Sequence, residues 1–62
     1  MKPKELIKLL QKNDFIFVRQ SGSHAIYKKS TGKMVVVPVH NKDIPIGTLN
    51  GILKDAGLKE NK

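Results

Sequence analysis

Apolar residues recur at helical spacing between Pro3 and Asn13, where Leu6, Ile7, Leu9 and Leu10 gather on one side and Lys4, Lys8 and Lys12 form an i, i+4 row on another. The pattern predicts an amphipathic first helix. Pro3 suits its first turn, where a missing N–H costs nothing, and Asn13-Asp14 supply turn chemistry at its end. The next run, Phe15-Ile16-Phe17-Val18-Arg19-Gln20, is rich in aromatic and β-branched residues and too short for a helix, so it reads as a strand. Ser21-Gly22-Ser23 breaks it.

Two further strands are predicted over His24 to Lys29 and Met34 to Val39, flanking Ser30-Thr31-Gly32-Lys33, whose small and polar residues suit a tight hairpin. A two-residue loop at Thr31-Gly32 sets His24 opposite Val39, Ile26 opposite Val37 and Lys28 opposite Val35 on one side of the pair. Ala25, Tyr27, Met34 and Val36 then share the other side. Asn41-Lys42-Asp43 and Pro45 make a loop, and a second helix starts near Ile46 with Ile46, Leu49, Ile52, Leu53 and Ala56 on one stripe and Gly57 as its C-terminal cap. Gly47 and Gly51 each weaken that helix by about 1 kcal/mol relative to alanine, which signals either close packing or a marginal element. Lys59 to Lys62 are expected to fray. The predicted fold class is α+β in the order α-β-β-β-α, a three-stranded antiparallel meander with two helices on one face, forming a single domain over residues 1–62.

Length and composition narrow the chemistry. A chain of 62 residues buries only about 60% of the surface its unfolded form exposes, so its core must be compact. No cysteine is present to supply a disulfide or a thiolate metal site. No long apolar stretch suggests a signal peptide or membrane span, which predicts a soluble, unprocessed, cytoplasmic protein without membrane association. Twelve Lys and Arg against five Asp and Glu give a formal charge of +7, so polyanions, nucleic-acid phosphates or an acidic protein are the expected partners. No carboxylate pair or His/Cys spacing suggests a metal, and the scattered glycines form no nucleotide-cradling loop, so no cofactor is expected.

Within this frame Gly22-Ser23-His24 stands out, a small flexible pair leading into a histidine at the start of a strand. Histidine titrates near neutrality, with an unperturbed pKa of about 6.5, and can give or take a proton on RNA. Gly22 supplies a positive φ or close approach to RNA. Ser23 holds the turn or hydrogen-bonds a phosphate. Arg19, Lys28, Lys29 and Lys33 are candidate phosphate contacts. Lys28 is preferred, since it shares a face with His24 at about 13 Å along the strand, a distance suited to a flanking phosphate. His40 is a possible accessory residue, but the hairpin register sets it opposite Ser23 and on the other face from His24, unless a bulge at Pro38 reverses the parity.

Gly22-Ser23-His24 before a strand, Pro38-Val39-His40 after the next, then Gly47-Thr48-Leu49, Ile52-Leu53 and Ala56-Gly57-Leu58 resemble the HicA toxins of bacterial and archaeal toxin–antitoxin systems. The likeness spans residues 3 to 58. It implies a fold similar to the double-stranded RNA-binding domain and a metal-independent mRNA interferase, with His24 matching the catalytic histidine and Tyr27 a common aromatic or apolar strand position. It also implies neutralisation by a HicB-like antitoxin docked on exposed sheet residues, giving a hetero-oligomer from a toxin that is monomeric when free. Asn50-Gly51 departs from the family pattern, which favours better helix formers there and often a basic residue. A noncatalytic RNA-binding module that reads A-form duplex by shape is the competing expectation. A structural protein with an acidic partner is a third.

Overall fold

The computed structural model describes residues 1–39 and 42–58. Its elements run α1 (Pro3–Lys12), β1 (Phe15–Ser21), β2 (His24–Lys29), β3 (Met34–Pro38) and α2 (Ile46–Ala56). The strands form one antiparallel sheet in the order β1-β2-β3. Both helices pack on the same face of it through one cluster that includes Leu6, Leu10, Phe15, Val37, Leu49 and Leu53. This is the expected α+β architecture, and it is compatible with the likeness to the double-stranded RNA-binding domain.

Local chemistry sets the helix ends. At the start of α1 the Glu5 carboxylate accepts the Lys2 backbone N–H at 2.9 Å, satisfying a donor that the first turn leaves unpaired. The chain leaves α1 through Asp14 at φ 71°, and the Asn13 side chain donates to the Leu9 carbonyl at 2.8 Å. At the end of α2, Gly57 takes φ 76°. Its N–H donates to the Lys54 carbonyl at 3.1 Å while the Leu58 N–H donates to the Leu53 carbonyl at 2.8 Å. These are the paired bonds of a Schellman motif, and Leu58 packs back on the core as that motif favours.

The predicted stripe of α2 is corrected at its first residue. Leu49, Ile52, Leu53 and Ala56 are buried, but Ile46 is 74% exposed. At the first helical position the side chain tilts toward the N-terminus and away from the packed turns. Ile44, whose N–H donates to the Met1 carbonyl at 2.9 Å, fills that end of the core instead. A β-carbon at Gly47 or Gly51 would meet nothing within 4 Å, so close packing does not account for either glycine.

The hairpin register is also corrected, by one residue. His24 faces Pro38, Ala25 faces Val37, Ile26 faces Val36, Tyr27 faces Val35 and Lys28 faces Met34. A two-residue loop at Thr31-Gly32 would need a positive φ at Thr31, which a β-branched side chain resists. The chain forms a three-residue loop, Ser30-Thr31-Gly32, in which only Gly32 takes a positive φ, 102°. The Gly32 N–H donates to the Lys29 carbonyl and the Lys29 N–H to the Lys33 carbonyl, both at 2.8 Å. A slip of one residue reverses the faces of a strand, so Val35 and Val37 join Ala25 and Tyr27 under the helices. Met34 and Val36 lie on the open face with His24, Ile26 and Lys28.

Pro38 does not disturb the ladder. The Val39 N–H still donates to the Ser23 carbonyl at 2.7 Å, and no register shift occurs between β2 and β3. Bonded and non-bonded pairs alternate in an antiparallel ladder, so position 38 directs its nitrogen outward from the sheet, where proline costs no bond. Between β1 and β2 the register does shift. Phe15, Ile16 and Phe17 pair with Lys29, Lys28 and Tyr27, whereas Arg19, Gln20 and Ser21 pair with Ile26, Ala25 and His24. Val18 is the extra residue of a β-bulge.

Candidate nucleic-acid interface

Cross-strand partners share a face, so the register lays out the open side of the sheet in three rows. Ser21, His24 and Pro38 form the first, Arg19, Ile26 and Val36 the second, and Ile16, Lys28 and Met34 the third. His24 opens the central strand and is solvent-exposed. Around it lies a surface of mixed chemistry. Ile16, Met34 and Val36 are 68%, 56% and 43% exposed, while Arg19 and Lys28 supply positive charge. None of the three strands carries an Asp or Glu, so the cations on this face have no acidic neighbour on the sheet.

The turn that delivers His24 is a two-residue connection, Gly22-Ser23, closed by the pair Ser21 and His24. Gly22 has φ 59°, and Ser23 is not in the positive range, the pattern of a type II′ turn, which matches the right-handed twist of the strands. Gln20 braces it by donating from its side-chain amide to the Gly22 carbonyl at 3.0 Å. The positive φ expected of Gly22 is therefore present, and Ser23 occupies the second central position of the turn. Their main effect is to fix where the backbone of His24 begins.

The remaining basic candidates do not converge on this face. Lys29 alternates to the helix side, where its ammonium lies 5.6 Å from the centre of the Phe15 ring, a cation–π contact. Lys33 reaches across the end of α2, where a β-carbon on Gly57 would lie 3.4 Å from its Cε and 3.5 Å from its Nζ. A cation at a helix C-terminus complements the backbone dipole. Of the predicted set, Gly22, Ser23, His24, Arg19 and Lys28 are gathered on or beside the open face, and Lys29 and Lys33 are not. His40 lies outside the described residues, as do Lys59 to Lys62. Among the described residues no group of three or more His, Cys, Asp or Glu side chains could hold a metal ion, and no helix is long and apolar enough to cross a membrane.

Sequence reasoning missed Met34 and Val36 as neighbours of His24, because both depend on the hairpin register. The signal was the β-branched Thr31, which excludes the two-residue loop. Among known proteins no curated sequence matches the chain. The family model for the HicA toxin of bacterial toxin–antitoxin systems matches residues 3–58, a span that takes in both helices, all three strands and the Gly22-Ser23-His24 turn. The chain belongs to the HicA toxin family and is the toxin of a toxin–antitoxin system, with an antitoxin as its partner.

Proposed function

We propose that this toxin is a metal-independent endoribonuclease that cleaves mRNA with His24 as its proton-transfer residue. The observation that carries the reading is the placement of an exposed histidine on a cationic sheet face whose strands carry no Asp or Glu, in a member of a toxin family. In metal-free cleavage the ribose 2′-oxygen attacks the adjacent phosphorus as its proton departs. The bond from phosphorus to the 5′-oxygen breaks, and that oxygen takes up a proton. The products are a 2′,3′-cyclic phosphate and a 5′-hydroxyl. The nucleophile belongs to the RNA, so the protein needs only to align groups, move protons and offset charge. His24 takes one of the two proton transfers, as neutral base or as imidazolium acid, and water takes the other. Lys28, about 13 Å along the strand, binds a flanking phosphate.

A cytoplasmic HicB-like antitoxin would neutralise the toxin by covering this face, burying Ile16, Met34 and Val36 together with His24. The free toxin is then a monomer and the inhibited form a hetero-oligomer. Cleavage of a single-stranded RNA in EDTA by the wild type and by His24→Ala, with fold and RNA affinity measured for both, tests the enzymatic reading. The expected result is cleavage by the wild type alone, leaving cyclic or 3′-phosphate ends. If neither cuts and both bind equally, the chain is a noncatalytic RNA-binding module.

A further inference from the structure

We propose that Arg19 is a catalytic residue that grips the scissile phosphate beside His24, and that the β-bulge at Val18 is the device that presents it there. The inference rests on the endoribonuclease reading above. Its starting point is strand parity. From Phe15 to Phe17 the pairing with β2 is regular. Continued without interruption, it would set Val18 opposite Ile26 and Arg19 opposite Ala25. Ala25 is 2% exposed under the helices, so that register would turn the guanidinium to the helix side of the sheet, away from His24. The extra residue moves Arg19 opposite Ile26 instead, on the face that carries His24.

Packing does not account for the bulge. Val18 and the preceding Phe17 remain 48% and 53% exposed, so the insertion interrupts a ladder without sealing either side chain in the core. Bulges that re-aim a side chain are common next to active sites. Here the re-aimed residue is the only arginine of the chain. Arg19 and His24 are diagonal cross-strand neighbours, a relation with a separation of about 7–8 Å that long side chains span. Lys28 stands about 13 Å from His24 along the strand. Among the described residues, Arg19 is thus the nearer of the two cations on this face.

The side-chain chemistry also suits the task. During transesterification negative charge builds on the two non-bridging oxygens of the phosphorus. A guanidinium offers two parallel N–H donors to such a pair, and it remains charged throughout the neutral range. His24 then handles the proton while Arg19 holds the phosphate.

The test is single-turnover cleavage of a single-stranded RNA at saturating protein in EDTA, with affinity measured separately. Wild type, Arg19→Ala and Arg19→Lys are compared with Lys8→Ala, which removes an equal charge from the helix layer. Removing a donor to a developing oxyanion costs about 10²- to 10³-fold in rate, and that loss is expected for Arg19→Ala at saturation. Arg19→Lys should recover only part of it, and added guanidinium ion should restore cleavage to Arg19→Ala. Lys8→Ala should cleave like the wild type. If the wild type cleaves and Arg19→Ala keeps a saturated rate within about threefold of it, losing only affinity, the catalytic role is overturned. Full activity in Arg19→Lys overturns the forked contact. A wild type that does not cleave overturns the endoribonuclease reading itself, a result distinct from either.

Discussion

Replacing glycine by alanine in and after α2 should change stability in opposite directions at two positions six residues apart. Gly51 is exposed in the middle of the helix, its φ is not positive, and an added β-carbon would meet nothing within 4 Å. Alanine there gains the full helix-propensity difference, about 0.8–1.0 kcal/mol, partly by restricting the unfolded chain. For a domain of this size that raises Tm by about 3–8 °C. Gly57 is the reverse case. It holds φ 76°, where an L-residue costs about 1–2 kcal/mol, while the nearest atoms are only the flexible end of Lys33. The strain is therefore in the backbone, and Gly57→Ala should lower Tm by at least as much as Gly51→Ala raises it. Thermal melts followed by far-UV circular dichroism, paired with urea titrations to check that the m-value is constant, measure both. If Gly51→Ala lowers Tm, or if the two substitutions shift it in the same direction, the reasoning from backbone conformation is refuted.

Leu10 has no exposed surface, and Leu→Ala in a core costs about 2.7–5.0 kcal/mol. A domain of 62 residues has a total stability of about 3–9 kcal/mol, so Leu10→Ala should remove about a third of it or more, read as a lower midpoint of the urea transition. Val36→Asp puts a charge on the open sheet face, away from the helices. It should leave the melting temperature within a few degrees of wild type while weakening capture of the cognate antitoxin in a pull-down, and unchanged capture would refute docking on this face.

The elements were legible because each has a strong local signature. The 3.6-residue spacing of Leu6 and Leu10, the β-branched strands, and glycines at positions 22 and 57 that take a positive φ all acted locally. The pairing between elements was less legible, and each error turns on one residue. The hairpin slip turns on Thr31, whose β-branched side chain resists the positive φ of a two-residue loop, and the faces of Met34 and Val36 turn with it. Ile44 was hidden because its burial comes from tertiary packing and a backbone bond to Met1, not from any period. The bulge at Val18 had no local sign, since neither glycine nor proline marks it. It emerges only when β1 is laid against β2, and Arg19 could not be assigned to a face before that.

The same bulge has a second consequence, at the rim of the sheet. β1 is an edge strand whose opening run, Phe15-Ile16-Phe17-Val18, has the composition of a segment prone to cross-chain β-stacking. An extra residue bends the strand and increases its twist, so regular pairing geometry is interrupted between Phe17 and Arg19. On the opposite rim, the outward nitrogen of Pro38 offers no donor. Each border of this small sheet therefore carries an interruption that hinders a second chain from adding a strand.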